Sequence, residues 1–360
     1  MRAASMALWL IAAIPLIMCS VGPAAAGPPL ILERTIPLEN VRGRIDHMAF
    51  DRVGGRLFVA ELGNDSVDVV DLQTGKVSQR INGLKEPQGV AYLADRDVIV
   101  VASGDDGSVR FLRAGDLSSL GTAALGNDAD NVRIDPSSGH VLVGYGDGGL
   151  AILDPVTQSK LEDIGLAGHP ESFQVDSKTG QVFANVPDAG QIAVIDLKSR
   201  KQVATWKIPG LAANFPMAVD SAGGRLAVVF RSPAKLALLD AATGAVTASL
   251  DTCGDADDVF FDGKRDRIYV SCGDGVIDVV QRSPKGLVPV ERVATSSGAR
   301  TSLFAPELDR LFVAARAGWL GSGAAILEFR PSPSCRSGIG RPSQKPLSST
   351  RSATRLRQLE

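Results

Sequence analysis

Apolar and polar positions alternate along most of this 360-residue chain with the period of two that is typical of β-strands. One unit repeats seven times: a short apolar strand, a turn, and a second strand similar to R-L-F-V. The last residue of the first strand, here called the anchor, recurs every 41 to 44 residues, at Asp51, Leu93, Asp135, Asp176, Asp220, Asp262 and Ala305. The second strands begin five residues later, at Arg56, Val98, His140, Gln181, Arg225, Arg267 and Arg310.

Each unit contains four strands, which read in the first unit as HMAFD, RLFVAEL, SVDVVDL and KVSQRI. A period of roughly 40 to 45 residues with four strands is the mark of a β-propeller, because one blade cannot bury both of its faces alone. We therefore predict an all-β fold, a seven-bladed β-propeller of four-stranded blades over residues 27–331.

The seventh unit lacks a fourth strand, because SPSCRSG follows AAILEF. The segment LILERTIPL, Leu30 to Leu38, precedes the first unit and has the character of a fourth strand. We predict that it completes blade seven and closes the ring, which removes an exposed sheet edge.

The two ends of the chain differ from the repeat. Residues 1–26 contain Arg2, the apolar run MALWLIAAIPLIM and Ala24-Ala25-Ala26, the features of a signal peptide. This predicts a periplasmic or secreted protein, cleaved near Ala26 and without a transmembrane segment in the mature chain. Cys19 raises the alternative of a lipoprotein, but Met18 stands where a lipobox needs a small residue. Residues 332–360 are rich in Ser, Arg and Pro and predict a basic, disordered tail.

The charge of the repeat region limits its partners. Residues 27–331 hold 31 Lys and Arg against 39 Asp and Glu. Nucleic-acid binding needs clustered basic residues, so this acidic body argues against a nucleic-acid partner. An unknown small molecule or a protein partner remains, and we expect a monomer.

Two cysteines are placed to form a disulfide. Cys253 precedes the first strand of the sixth unit and Cys272 ends the second strand, so an antiparallel pair brings them together. An oxidising compartment favours this bridge. A redox or metal role is the alternative, although neither cysteine belongs to a C-x-x-C pair.

The candidate site comes from equivalent positions across the repeats. The residues before each first strand should surround one mouth of the central channel, and several of them are acidic. The candidates for binding are Asp46, His47, Gln88, Asp130, Asn131, Glu171, Asp257, Asp258 and Arg300. Arg44, Asp128, His169 and Asp255 lie slightly upstream of the equivalent positions.

Converging carboxylates repel one another, and three arrangements relieve that repulsion: a bound cation, arginine partners such as Arg44 and Arg300, or raised carboxyl pKa values. A divalent cation such as calcium would use Asn131, Glu171, Asp257 and Asp258. With His47 and His169, a transition metal becomes an alternative. The structural alternative is that these acids accept backbone N–H groups of the neighbouring blade and hold the blades in register.

The segments RIDHMAFD, RLFVAELGNDSVDVVDLQTGKV, HPESFQVD and RIYVSCGDGVIDVV resemble the YVTN-repeat, YncE-like family of exported bacterial seven-bladed propellers. The resemblance covers roughly residues 30–331 and rests on the whole repeat, since LFVAE, VFANV and IYVSC replace the Y-V-T-N tetrapeptide. It implies an exported propeller that binds a ligand or a partner, and it carries over no catalytic residues.

Two functions from different classes follow. The first is a non-catalytic binding or scaffold propeller that uses its channel mouth or loop face. The second resembles the metal-dependent lactonases, with the acids as ligands and His47 or His169 as general base, although such propellers usually have six blades. A quinoprotein-type dehydrogenase is a third alternative, for which the sequence offers no cofactor ligands. No G-x-S-x-G, Walker A, H-E-x-x-H or C-x-x-C-H motif is present.

Overall fold

The structure is a computed structural model that describes residues 27–318 and 322–333. The predicted signal peptide and nearly all of the predicted tail lie outside the described residues. The described part contains 28 β-strands and two short 3-10 turns, Leu62–Asn64 and Pro187–Ala189, and no α-helix. It therefore holds no helix that could cross a membrane.

The strands form seven antiparallel four-stranded sheets, which are the seven blades. Blade one is β2 (Met48–Asp51), β3 (Arg56–Glu61), β4 (Ser66–Asp71) and β5 (Lys76–Asn82). Blade two is β6 (Pro87–Leu93), β7 (Val98–Ser103), β8 (Ser108–Arg113) and β9 (Ser119–Ala124). Blade three is β10 (Ala129–Ile134), β11 (Val141–Tyr145), β12 (Gly149–Asp154) and β13 (Ser159–Gly165). Blade four is β14 (Phe173–Asp176), β15 (Gln181–Val186), β16 (Gln191–Asp196) and β17 (Lys201–Trp206).

Blade five is β18 (Ala212–Asp220), β19 (Arg225–Ser232), β20 (Ala234–Asp240) and β21 (Val246–Asp251). Blade six is β22 (Ala256–Asp262), β23 (Arg267–Cys272), β24 (Val276–Ser283) and β25 (Gly286–Ala294). Blade seven is β26 (Ser302–Ala305), β27 (Arg310–Ala315), β28 (Ala324–Pro331) and, from the other end of the chain, β1 (Leu30–Leu38). The predicted architecture is confirmed.

The predicted ring closure is confirmed as well. Strand β1 pairs antiparallel with β28, from Leu30 opposite Pro331 to Leu38 opposite Ala324. Arg34 reaches Glu328 across this pair at 2.6 Å. Strand β1 therefore covers the edge that β28 would otherwise expose and supplies the fourth strand of blade seven.

The core lies between the blades. The described residues contain seven clusters of buried apolar side chains, and each cluster joins two neighbouring blades. The cluster that crosses the closure contains Ile36 of β1, Phe312 and Ile326 of blade seven, and Leu57 of blade one. Because every blade buries both faces against its neighbours, stability depends on the complete ring.

The turn after each first strand explains why aspartate is the commonest anchor. The carboxylate of Asp51 accepts the N–H groups of Val53 and Gly54, both at 3.0 Å. Such side-chain bonds to the next residues fix a tight turn. Asp135, Asp176, Asp220 and Asp262 repeat the arrangement in their own turns.

The predicted disulfide is present between Cys253 and Cys272, whose Cα atoms are 6.0 Å apart. Several predicted strand boundaries were wrong by a residue. For example, β3 ends at Glu61 because Leu62 begins a 3-10 turn, and β11 begins at Val141 rather than at His140. In the latter turn, the Oγ of Ser138 accepts the N–H of His140, which keeps that N–H out of the sheet.

Candidate functional site in the central channel

The seven first strands together line one cavity of about 480 Å³. We call the end where these strands begin the leading end, and the end with the anchors the trailing end. The position two residues before each anchor contributes a lining residue from every blade. These residues are Ala49, Ala91, Arg133, Gln174, Ala218, Phe260 and Leu303. Three alanines leave room in the channel, and Arg133 is the only charged member of the ring.

Charged groups of the leading end close this cavity. His47 and Asp258, which stand four residues before their anchors, both line it. The Nε2 atom of His47 lies 3.8 Å from an oxygen of Asp46 and 3.8 Å from an oxygen of Asp130. Burial disfavours the charged imidazole, but Asp46 and Asp130 outweigh it and raise the pKa of His47.

A second histidine holds the other side of Asp130. His169 Nε2 lies 3.9 Å from Asp130 Oδ2, and its Nδ1 lies 3.4 Å from Asp128 and 2.7 Å from the carbonyl oxygen of Gly146. These acceptors outweigh burial and raise the pKa of His169 to about 9. The two histidines in turn outweigh burial at Asp130 and lower the pKa of its carboxyl group. Asp130 is therefore the anionic centre of the cluster.

Arginines neutralise the acids of blade six. Arg231 lies 2.7 Å from Asp257 and 3.4 Å from Asp255. Arg300 reaches the same two carboxylates at 3.1 Å and 2.7 Å. The Arg231 guanidinium also stacks 3.7 Å from the ring centroid of Phe215, a close cation–π contact. The arginine-partner arrangement proposed from the sequence is thus present here.

Three other carboxyl groups have pKa values above the ordinary range, because burial disfavours their charged forms. The pKa rises to about 6 at Asp46 and to about 7 at Glu171 and Asp258. Neighbouring acids add to the shift, chiefly Asp130 beside Glu171 and Asp257 beside Asp258. Asp46 keeps one cationic partner, since Arg44 Nη2 lies 2.7 Å from its Oδ2. Raised carboxyl pKa values therefore also relieve the repulsion.

One of these acids also accepts a backbone N–H of the neighbouring blade, which is the structural alternative considered above. Asp258 of blade six accepts the N–H of Ser302 in blade seven at 2.6 Å. Two buried oxygens of blade three have no hydrogen-bond partner in the described structure, Oδ1 of Asp130 and Oδ1 of Asn131. Buried acceptors of this kind normally have a partner, so these two mark a place where a donor would bind.

Most of the predicted site residues lie in one cluster. Gln88 is peripheral, because its amide donates at 3.1 Å to the exposed carboxylate of Asp128. Among the described residues, no three His, Cys, Asp or Glu side chains are grouped as a metal ion would require. The calcium site at Asn131, Glu171, Asp257 and Asp258 therefore stays a prediction.

Two arginines were missed by the sequence reasoning. Arg133 could have been found, because at its position in the repeat the other six blades carry Ala, Gln, Phe or Leu. Arg231 ends a second strand, and nothing in its sequence context indicates that its side chain reaches Asp257. Cross-blade pairs of this kind follow from loop geometry rather than from spacing.

Solved structures share this fold. A chain of the Kuenenia stuttgartiensis hydrazine synthase structure is similar over 80% of this chain and 97% of its own, with a TM-score of 0.70 and 17% identity. A chain of a mitotic checkpoint complex is similar over 92% of this chain and 98% of its own, with a TM-score of 0.72 and 16% identity. At these identities the likeness supports the propeller fold alone.

Sequence comparison adds no family. No model of a known protein family matches the chain, and no curated protein matches it. The resemblance to the YVTN-repeat proteins stays a prediction, and the function must be argued from the channel.

Proposed function

We propose that this chain is an exported binding propeller that holds a small ligand in its central channel. The observation that carries the proposal is the cavity of about 480 Å³, whose inner ring is mostly alanine, phenylalanine and leucine while charged groups lie at one end. Ligand sites are typically concave, mostly apolar and supplied with a few convergent polar groups.

The test is to fill the channel. Ala218→Phe introduces an aromatic ring in blade five. Phe260 occupies the equivalent position of blade six, so an inner strand tolerates this side chain. Ala242→Phe lies on an exposed turn of blade five, the blade of Ala218, and adds the same bulk outside the channel. We expect small aromatic and aliphatic molecules to raise the Tm of the wild-type protein and of Ala242→Phe, and to have no effect on Ala218→Phe. Equal binding by all three proteins would contradict the channel site.

Two features support export. The Arg2-led apolar run and Ala24-Ala25-Ala26 are the features of a signal peptide, and the Cys253–Cys272 bridge suits an oxidising compartment. Expression of the full 360-residue chain in a bacterium, followed by the intact mass of the purified protein, tests this. A periplasmic product that begins near Gly27 is expected, and an uncleaved cytoplasmic product would contradict export.

One observation favours a second candidate, a hydrolase of the metal-dependent lactonase type. Burial and the charge of Asp130 raise the pKa of Glu171 to about 7, a value suited to proton transfer near neutral pH. Elemental analysis together with lactone and ester hydrolysis tests it, with Glu171→Gln compared against the exposed Glu162→Gln. Bound metal and turnover that are lost only in Glu171→Gln would establish the hydrolase, and a protein without metal or turnover would leave the binding function.

A further inference from the structure

Arg133 differs from the other charged groups of the channel because no carboxylate neutralises it directly. No Asp or Glu oxygen of the described residues lies within 4.0 Å of its guanidinium nitrogens. Its only hydrogen bond there runs from Nη1 to the carbonyl oxygen of Val132, at 2.8 Å. A guanidinium has five N–H donors, so most of its hydrogen-bonding capacity is unused.

This arrangement costs stability. Burial lowers the pKa of Arg133 below its ordinary value, and the attraction of Asp258 and Asp130 does not offset that effect. Arg133 is partly buried, and a cation removed from part of its water is normally paired, because desolvation of an unpaired charge is expensive. The frame does not require a charge at this position, since the other six blades carry neutral residues there. A residue that breaks the rules of its own repeat at a cost indicates function.

The guanidinium is held in place before any ligand binds. It lies 5.8 Å from the ring centroid of Phe173, a fully buried side chain of the next blade. The bond to Val132 fixes its other side. A pre-organised cation at the wall of a cavity binds an anion with little further loss of entropy.

The other residues of the ring indicate which chemical groups the body of the ligand should have. Ala49, Ala91, Ala218, Phe260 and Leu303 share the Arg133 position in their blades and line the same cavity. Tyr92 and Phe261 add aromatic walls toward the trailing end. The polar members of the lining include Arg133, Gln174 and, at the leading end, His47 and Asp258. Such a lining fits a molecule that is apolar over most of its surface and carries one negative charge. The acids of the leading end disfavour a second negative charge.

We infer that the channel binds an amphipathic monocarboxylate, with the carboxylate on the Arg133 guanidinium and the apolar body along the alanine, phenylalanine and leucine ring. This inference rests on the proposed function and adds the chemical class of the ligand.

The experiment compares acids with their matched alcohols on the protein produced from the full chain. Benzoate, 2-naphthoate and decanoate are titrated calorimetrically beside benzyl alcohol, 2-naphthalenemethanol and decanol. We expect at least one acid to bind about tenfold or more tightly than its alcohol, as a charge-assisted bidentate bond predicts. Arg133→Gln should reduce this preference to less than about twofold, whereas Arg110→Gln, in the third strand of blade two, should keep it.

The outcomes separate the two proposals. Equal binding of acids and alcohols, or a preference that survives Arg133→Gln, overturns the carboxylate inference and leaves the channel as a binding site. Failure of all six compounds to bind below about 1 mM rejects the carboxylate inference and argues against the channel function as well. If Arg133→Gln does not fold, Arg133→Lys keeps the charge without the planar fork, and a loss of at least half of the preference is then the supporting result.

Discussion

The inner strands of blades one, three, four and six are flanked by acids at both ends, and the two sets of acids are stabilised in different ways. At the trailing end, hydrogen bonds outweigh burial and lower the pKa of Asp135 and of Asp176. Ser138 donates to Asp135, and Ser221 of blade five and Thr179 donate to Asp176. At the leading end, burial raises the pKa of Asp258 to about 7. Aspartate is thus stabilised as an anion in these two turns, whereas the leading end holds the anionic Asp130 together with Asp258, whose neutral form is favoured.

The difference lies in where the partners come from. A turn aspartate accepts backbone N–H groups two or three residues ahead, so each blade that carries one can repeat this turn independently. The acids of the leading end find partners on other blades, such as Arg231 of blade five for Asp257 of blade six. Residues that recur at the same position in several blades stabilise the individual blade. Residues that differ from this repeat depend on partners from other blades.

The largest effect should follow from opening the ring, on which both ends depend. Deletion of residues 30–38 leaves the outer edge of β28 without its partner strand and removes Ile36 from the core. We expect loss of cooperative folding, measured by circular dichroism and thermal melting. Deletion of residues 334–360, which lie outside the described residues, is the control. A soluble, cooperatively melting protein without β1 would contradict this prediction.

The next effect compares one acid from each end. Asp262 accepts the N–H of Lys264 and of Arg265, a guanidinium hydrogen of Arg265 and the hydroxyl of Tyr269. Asp262→Asn removes a buried anion from its partners and should cost about 3 to 5 kcal/mol of unfolding free energy. Asp258→Asn should cost much less unfolding free energy at pH 8, because burial in the folded protein disfavours the charged form of this carboxyl group. Urea unfolding at pH 8 measures both, and similar losses would refute the contrast.

The sequence predicted the frame well and the site only in outline. The bounds of β1 followed from its alternating pattern and from the missing fourth strand, because a strand period and a turn residue are local signals. The clustering of Asp46, His47, Asp130 and Asp258 followed from aligned positions. The raised pKa of Glu171 did not, since it depends on burial by several blades. The Arg231 pairs did not either, because they cross between blades.

A moderate effect should follow from removing the disulfide, which ties the loop that precedes Asp255 and Asp257 to β23. The bridge spans a sequence separation of 19 residues, which corresponds to about 3 kcal/mol in the chain-entropy model. The Cys253→Ala, Cys272→Ala double variant should therefore unfold at lower urea concentration, with an unchanged denaturant dependence. Reduction of the wild-type protein should match it, and unchanged stability in both would contradict the prediction.

The smallest effect is a dependence of stability on pH. At the leading end, Asp46, Glu171 and Asp258 hold protons that the unfolded chain loses near pH 4, so folding stability should fall as the pH rises from about 4 to 7. His169 contributes stability below pH 6.5 that is lost as the pH approaches about 9. Both contributions have the same sign.

The aspartates of the trailing end affect folding stability at acidic pH. The pKa values of Asp135 and Asp176 are lowered, so their contribution is present above the ordinary range of aspartate and is lost as the pH falls below it. Unfolding free energies from pH 3 to 9 should therefore peak near pH 4 to 5 and decline on both sides. Glu171→Gln should flatten only the neutral side, and a stability that rises from pH 5 to 8 would contradict the assignment.

The pairing of β1 with β28 also determines the order of events when the protein is made. The strand that completes blade seven is the first to leave the ribosome, and its three partner strands are the last. The ring can close only after the whole repeat region has been synthesised, which delays the native state beyond the end of translation. For a chain that is exported as proposed, this delay keeps the polypeptide threadable until it has crossed the membrane.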